Sequence, residues 1–432
     1  MAIIPQPSLF VWSEIEELGD LKRLQLVIET MPDESLMQKL EKRRKNGRDD
    51  YPIRGMWNSL LAGIVFQHPS IESLRRELSR NAQLRMVCGL TKVPTSSAYS
   101  RFMVLLLKEE KAIHEMFVRL VEEISEELPE FGKHLAMDSK AIASFATRKN
   151  RRQKRDGRRD VDADYGKKVY RGKKEDGTPW EKIVRWFGYK LHLIVDAIHE
   201  LPVFYSVTKA STPDVVEGRR MWKDMKETMP KRIEEAETCL ADKGYDDTKL
   251  IEELWEEYGV KPVIDIRNMW KDGEATKVVS GQTNVVYNYK GTVYCVCPET
   301  GKEREMANGG FEKDRNTLKK LCPAKVYGIT CKGQKQCPVG KGIRIRLEED
   351  RRVFTPIDRS SRKWETLYAK RTAVERVNSR LDVSFGMEQH TIRGLSKMRV
   401  RCGMVLGVML ALALGRIREK KEDKMRSLVC AA

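Results

Sequence analysis

Apolar residues in the first 130 positions recur every three or four residues, a spacing that predicts helices throughout this part of the chain. The run Pro94-Thr95-Ser96-Ser97 predicts a helix start, because hydroxyl side chains accept hydrogen bonds from the free amides of a first helical turn. Residues 1–130 are therefore predicted to form an all-helical amino-terminal domain. Its helical segments are predicted at 20–30, 34–46, 55–67, 71–79 and 96–127.

Tyr99 and Arg101 lie near the beginning of the last of these helices, and short helical pieces at 71–79 and 81–88 precede it. That order is typical of a helix-turn-helix unit, whose later helix enters the major groove of DNA. An ordinary helical bundle produces the same pattern, and the pattern by itself slightly favours the bundle. Tyr99 and Arg101 are candidate DNA contacts.

Beyond residue 131 the pattern changes to short apolar and alternating runs, which predict strands. The predicted order in 131–266 is three strands, a helix, a strand, a helix and a strand, which indicates an α/β core with a mixed sheet. The strands are predicted at 133–137, 185–197, 202–209, 237–241 and 260–266, and the helices at 213–229 and 247–258. Residues 267–363, rich in turns and short strands, are predicted to be an insertion subdomain. Residues 364–432 complete the core with a helix from Trp364 and a last helix at 395–420.

Three acidic residues occupy positions in this order of elements that suggest a shared site. Asp138 ends one apolar strand, Asp242 follows another, and Glu375 lies on the helix that begins near Trp364. In ribonuclease-H-like folds the first acid lies on the first strand, the second just after the fourth strand and the third on a later helix. A single acid at a strand end is more often a cap or an ion-pair partner, so the prediction depends on all three together. Carboxylates suit Mg²⁺, and paired ions cleave phosphodiesters, so these three residues are predicted to be catalytic metal ligands.

Tyr368, Arg371 and Glu375 are spaced by three and four residues, so they are predicted to line one face of a helix. An arginine one turn before the acid can clamp a phosphate with two hydrogen bonds, and the tyrosine can donate another. Both are candidate DNA contacts. The alternative is an ordinary Arg–Glu pair on a solvated helix face.

The chain is strongly basic, with 81 Lys and Arg against 63 Asp and Glu and a net charge of +18. Such an excess suits double-stranded DNA, although anionic membranes attract the same charge. The basic stretch 148–175, just after the first acid, is predicted to be a mobile loop that contacts DNA. Its candidate contacts are Arg148, Arg151 and Arg152. Lys190 and His192 share one strand face. They are candidate DNA contacts, and an ordinary position on the sheet surface explains them equally well.

No secretory signal opens the chain, and the longest apolar run, 402–414, is too short to span a bilayer, so it is predicted to be a buried helix. Nine cysteines, an odd number, argue against a disulfide framework. A cytoplasmic protein without membrane contact is predicted.

Five cysteines fall in the insertion and suit either zinc or buried free thiols. Free thiols are marginally favoured, because the usual pair of two-residue spacings is missing.

With these motifs in their order, the chain resembles bacterial insertion-sequence transposases of the DDE class. Residues 135–139 match the family's first-acid strand, and residues 240–246 match its second. Residues 188–193 with 201–214 resemble the second and third strands, and residues 51–102 resemble the helical domain that precedes the core. Tyr368, Arg371 and Glu375 resemble the Tyr-Arg-Glu-Lys signature, with Asp382 where the signature has its lysine.

The resemblance implies metal-dependent cleavage of DNA at insertion-sequence ends and strand transfer into target DNA. It implies Mg²⁺ as cofactor, with Mn²⁺ able to substitute, and a homodimer or larger synaptic complex that holds two element ends. The helical amino-terminal domain would serve end recognition and assembly, on the nucleoid of a bacterial cytoplasm. Two alternatives stay open: a DNA-binding transposase derivative without catalysis, and a ribonuclease-H-like nuclease that cuts without joining.

Overall fold

The computed structural model describes residues 19–44, 49–146, 159–174 and 176–427. Three predicted DNA contacts, Arg148, Arg151 and Arg152, lie outside these ranges.

Between residues 19 and 127, the described residues form helices joined by short connections. The predicted helix 96–127 is in fact two helices, because the chain turns at Lys108 and Glu109. This turn lets Leu106 before it and Ile113 after it enter the same core. Side-chain oxygens of Ser70, Asn81 and Thr95 cap three of the helices. The helices are α1 (Gly19–Thr30), α2 (Glu34–Arg44), α3 (Ile53–Val65), α4 (Ile71–Arg80), α5 (Ala82–Val87), α6 (Ser96–Leu107) and α7 (Glu110–Glu127).

The central sheet combines antiparallel and parallel strands in the order β4-β3-β1-β5-β6, and β2 extends the free half of β3. Strand β3 is antiparallel to both β4 and β1, whereas β5 and β6 run parallel to β1. The strands are β1 (His134–Ala143), β2 (Asp164–Lys173), β3 (Pro179–Asp196), β4 (Pro202–Lys209), β5 (Thr238–Ala241) and β6 (Lys261–Ile264). Between them lie α8 (Asp214–Thr228), α9 (Pro230–Glu235) and α10 (Thr248–Glu252), the last extended by a π-helical turn, Glu253–Glu257.

The prediction of a loop over all of 148–175 is wrong for its described carboxyl-terminal part. Residues 164–173 form strand β2, paired along its length with the first half of β3, which begins at Pro179 rather than Arg185. The rings of Tyr165 and Phe187 meet across the pair with centroids 5.2 Å apart. Tyr165 and Val169 and, on the partner strand, Ile183 and Val184 add apolar side chains that favour a strand. The two strands form a ribbon that leaves the sheet beyond Gly188.

The insertion has its own small hydrophobic core, separate from the main one. Arg352 joins it to the central sheet, because its guanidinium lies 2.9 Å from the buried Asp246 carboxylate, just after β5. One of its sheets contains β7 (Thr276–Val278), β8 (Val285–Asn288), β9 (Val293–Val296) and β10 (Glu303–Glu305). Another contains β11 (Ala307–Glu312), β12 (Thr317–Leu321) and β13 (Gly342–Arg346), and the short helix α11 (Pro323–Tyr327) lies between β12 and β13.

The last helices complete the main core. They are α12 (Arg362–Ala369), a 3₁₀ turn (Lys370–Thr372), α13 (Ala373–Val383) and α14 (Leu395–Arg418). The single helix predicted for Tyr368 to Glu375 is thus interrupted at Lys370–Thr372.

Helix α14 confirms the predicted buried carboxyl-terminal helix and packs on α1, α7 and β4. A Cβ on Gly403 would fall 2.5 Å from the Tyr205 hydroxyl, so glycine allows this close approach. By length and hydropathy the 24-residue helix could cross a membrane, but 94% of its apolar window is buried within the protein. Packing inside the fold therefore accounts for its composition.

Candidate active site

Asp138 and Asp242 come from neighbouring strands of the central sheet. Strands β1 and β5 are parallel, with Met137 opposite Ala241, so each aspartate is the next residue along its strand. Paired strands lie about 4.8 Å apart, which brings the two carboxylates to the same edge of the sheet. The tertiary structure thus joins two acids that are more than a hundred residues apart in sequence.

Local hydrogen bonds hold both carboxylates in place. The Ser139 amide donates to Asp138 Oδ1 at 2.7 Å. Asp242 caps the 3₁₀ turn Lys243–Tyr245, where its Oδ1 accepts from the Gly244 amide at 2.8 Å. A Cβ at Gly244 would lie only 2.7 Å from that oxygen, so the tight turn requires glycine.

The site has an excess of negative charge around Asp138. Burial raises the pKa of Asp138 to about 6, and the carboxylates of Asp242 and Asp214 add to this rise, whereas Lys168 opposes it. Lys168 lies beside the site, since its ammonium donates to the Ser139 carbonyl at 3.1 Å. Clustered carboxylates that disfavour ionisation are a common feature of cation and catalytic sites.

Glu375 lies on helix α13, beside the strands that carry the two aspartates. Helix α13 packs on β1 and β3, and the 3₁₀ turn before it contacts β1 and β5. Arg371 Nη2 lies 2.8 Å from Glu375 Oε1, and the Arg371 guanidinium lies 5.7 Å from the centre of the Tyr368 ring. Burial disfavours the charged guanidinium, but the hydrogen bond to Glu375 and the charge of Asp242 raise the pKa of Arg371.

The predicted trio Tyr368, Arg371 and Glu375 therefore does meet, although the helix is interrupted between its members. The Arg–Glu pair of the alternative reading is also present, and the Glu375 side chain is 53% exposed. Among the described residues, no three His, Cys, Asp or Glu side chains already meet at one metal position. The chemistry of the donors fits a divalent ion, because Asp138 and Asp242 come from neighbouring strands and both offer carboxylate oxygens.

Three residues near the site were missed by the sequence reasoning. Asp265 follows β6, whose Ile264 pairs with Ala241, so it stands next to Asp242. Asp214 begins α8, and both Asp214 and Lys168 influence the pKa of Asp138. The signal available for Asp265 was an acid near the end of the predicted strand 260–266. Lys168 belongs to the predicted basic stretch but was not assigned to the site, and nothing local marked Asp214.

Lys190 and His192 are buried under α8, which argues against both predicted DNA contacts and open sheet-surface roles. Lys190 Nζ lies 2.8 Å from Asp214 Oδ1, and His192 Nε2 lies 2.9 Å from Thr208 Oγ1. Burial lowers the pKa of His192 to about 4, so its ring is neutral at pH 7. Both side chains join the sheet to the helix that carries Asp214.

Tyr99 is also interior, which corrects its predicted role as a DNA contact. Its side chain is 3% exposed, and its hydroxyl lies 2.8 Å from Ser59 Oγ. Arg101 on the same helix is exposed and lines a groove of about 390 Å³ with Arg43, Arg44 and Tyr51. The face of α6 that points outward is thus the one that carries Arg101.

Asp382 occupies the place of the signature lysine, and the structure supplies a lysine beside it. Lys140 on β1, two residues after Asp138, donates a hydrogen bond to the Asp382 carboxylate and a second, at 3.0 Å, to Glu388. This pair fastens α13 to the strand that carries the first acid.

Comparison with known proteins decides the family. The model of the transposase DDE domain matches residues 129–411, well over half of the chain and all three acids. The chain belongs to the DDE transposase family. A second transposase domain model (DUF772) matches residues 13–104, the helical region before the core.

Other comparisons add little to this assignment. No curated protein matches the transposase. Among solved structures, the cryo-EM structure of a piggyBac transposase synaptic complex with hairpin DNA shows 12% identity, covering 95% of this chain and 85% of that one. The TM-score is 0.27, too low for a shared fold to be argued from it.

Family membership makes the chain a DNA transposase, which confirms the function read from the sequence motifs. DDE transposases act on DNA with divalent metal ions. The mixed α/β architecture expected from the sequence is also present.

Proposed function

We propose that this transposase cuts DNA at insertion-sequence ends and joins the freed ends to target DNA with Asp138, Asp242 and Glu375 as its catalytic carboxylates. The observation that carries the proposal is the parallel register of β1 and β5, which makes Asp138 and Asp242 neighbours. The contacts of helix α13, which carries Glu375, with β1 and β3 support the assignment of the third carboxylate. The strand order β4-β3-β1-β5-β6 supports a ribonuclease-H-like core preceded by an all-helical domain.

The proposed cofactor is Mg²⁺, with Mn²⁺ able to substitute, because all candidate ligands are carboxylate oxygens. When bound, such ions polarise the phosphodiester and stabilise its leaving oxygen. Glu375 must turn from Arg371 to become a ligand, and its exposed side chain leaves room for this. Arg371, released from the ion pair, can then hold a phosphate of the bound DNA, with the Tyr368 hydroxyl donating nearby.

The DNA-binding surface is proposed to include three parts. The groove at Arg101 presents positive charge from the helical domain, and Lys168 stands directly beside Asp138. The basic segment with Arg148, Arg151 and Arg152 connects β1 to the ribbon. Two element ends must be held together for joining, so a homodimer or larger synaptic complex on the bacterial nucleoid is part of the proposal.

The test compares the intact protein with Glu375→Gln on DNA that carries the element's own ends, with Mg²⁺ and without it. The matched control is Glu365→Gln, which removes an exposed carboxylate from the preceding helix α12. Cleavage and joining should be lost in Glu375→Gln and kept in Glu365→Gln, while both variants bind end DNA as the intact protein does.

Other outcomes separate the alternatives. Cleavage without any joined product would identify a nuclease. Binding without cleavage by the intact protein would identify a non-catalytic derivative. Equal cleavage by Glu375→Gln and the intact protein would show that the third ligand is wrongly assigned.

A further inference from the structure

The insertion gathers its five cysteines around one small cavity. Cys295 and Cys297 leave the end of β9 on alternate positions, and the other three come from the segments between β12 and β13. Together they line a cavity of about 20 Å³, which holds one ion or one water. The remaining described cysteines, Cys88, Cys239 and Cys402, are buried in the main core. The lining thiols are those of Cys295, Cys297, Cys322, Cys331 and Cys337.

Cys297 has the surroundings of a thiolate. The Thr300 hydroxyl and the backbone amides of Thr300, Glu299 and Gly333 donate hydrogen bonds to its sulfur. A Cβ on Gly333 would lie 3.1 Å from this sulfur, so glycine allows the second segment to approach. Amide donors around a cysteine sulfur stabilise the anionic form, which is the form that binds metals.

The other thiols extend from this centre. The Cys331 thiol donates a hydrogen bond to the Cys297 sulfur. Asn284 Nδ2 lies 3.4 Å from Cys337 Sγ. Cys322 and Cys337 lie close enough to Cys295 to affect the charge on its sulfur.

Two further features suit a soft cation. Lys302 and Arg304 also line the cavity, and their charges can offset the negative charge of several thiolates around one ion. The insertion's core is small and rests on short strands of three to six residues. Small modules of this kind commonly gain their stability from a structural metal.

We propose that the insertion holds one structural zinc ion through Cys297, Cys331, Cys337 and one of the adjacent pair Cys295 and Cys322. In the described structure no three of these sulfurs yet surround a single point. Rotation about the Cα–Cβ bond moves a cysteine sulfur between staggered positions without a backbone change. Thiolates at about 2.3 Å from Zn²⁺ in a tetrahedral set then close the cavity. The proposal is independent of the catalytic function.

The first test is metal analysis of the full chain purified without chelator. About one zinc per chain is expected, released by a mercurial that blocks thiols. Replacement by Co²⁺ should produce the intense near-ultraviolet absorption of cobalt–thiolate bonds. Absence of zinc together with absence of that absorption after Co²⁺ addition would overturn the proposal, and this measurement needs no variant.

Variants then locate the ion. Zinc content should fall at least tenfold in the double variant of Cys297→Ser and Cys331→Ser. It should be unchanged in Cys88→Ala, a cysteine of the main core, and in Asp138→Asn, which alters the candidate active site. Zinc that persists in the double variant, or that disappears with Asp138→Asn, would refute the thiol site.

Discussion

The contact between Lys140 and Asp382 should make a measurable contribution to stability. Lys140 is 10% exposed and Asp382 28% exposed, and Glu388, 62% exposed, shares the ammonium. Lys140→Met removes the ammonium but keeps the length of the side chain, so it leaves the Asp382 carboxylate partly buried without its cation. The perturbation therefore tests what fastens α13, the helix of Glu375, to the strand of Asp138.

The size of the effect follows from burial. Removing one partner of a fully buried ion pair costs about 3–5 kcal/mol. Because Asp382 is partly exposed, we expect Lys140→Met to lower the free energy of unfolding by about 2 kcal/mol. Asp382→Asn should cost about 1 kcal/mol, because Glu388 still pairs with Lys140. The double variant should then show a coupling of about 1 kcal/mol.

The pH dependence has a defined sign. Burial raises the pKa of Asp382, and Lys140 is what lowers it again. Without Lys140 this pKa rises further, so the destabilisation should be largest at pH 8 and should shrink in acid, where Asp382 takes up a proton.

The assay is urea unfolding of the intact protein, the two single variants and the double variant at pH 7.5 and pH 5. Lys111→Met, at a lysine that is 91% exposed, is the matched control and should change stability by less than about 0.5 kcal/mol. If the two single effects add to within about 0.3 kcal/mol in the double variant, the pair does not couple and the reasoning is refuted.

Three more predictions follow from the same structure. Asp138→Asn should stabilise the metal-free protein by up to about 3 kcal/mol at pH 8, because folding raises the pKa of Asp138 to about 6. The gain in stability should fade as the pH falls below 6. Thermal unfolding at several pH values measures this gain, and a loss of stability would contradict the prediction. Tyr99→Phe should lower the free energy of unfolding by about 1 kcal/mol, because the hydrogen bond to Ser59 is lost. The affinity for end DNA should stay unchanged. Weaker binding in a DNA titration would show that Tyr99 does contact DNA. Because the pKa of His192 is lowered, stability should fall as the pH drops from 6.5 towards 4, where the unfolded chain gains a proton that the folded chain excludes. In His192→Gln, the urea midpoint should depend less steeply on pH. An unchanged pH dependence would show that other groups cause it.

Local patterns were sufficient wherever neighbours along the chain decide the structure. Helix periodicity identified most of the amino-terminal helices and the buried helix α14, because a helix face is set by residues three and four positions apart. The strand before Asp242 was predicted near its observed bounds, whereas the strand of Asp138 continues to Ala143, so that Asp138 lies within it rather than at its end. The ribbon strand β2 was missed, because its few apolar residues lie within a stretch dominated by charge, and pairing with the distant first half of β3 decides its structure.

Burial of individual polar residues was not accessible from the same patterns. Lys190 and His192 looked like one exposed strand face, and only the packing of α8 shows that they are covered. Tyr99 looked like a helix-surface residue, and only the position of Ser59 on α3 shows which face is inside. Asp382 looked like the loss of a functional lysine, until the fold placed Lys140 against it.

The sequence by itself determined the family and the kind of most elements, and it proposed the three acids, because these depend on residue types and on spacing along the chain. The tertiary structure alone decided which groups share an environment: Asp138 beside Asp242, Lys140 against Asp382, and five cysteines around one cavity. The physical reason is that these contacts depend on strand register and helix packing between distant segments, whereas propensity and periodicity act over a few residues.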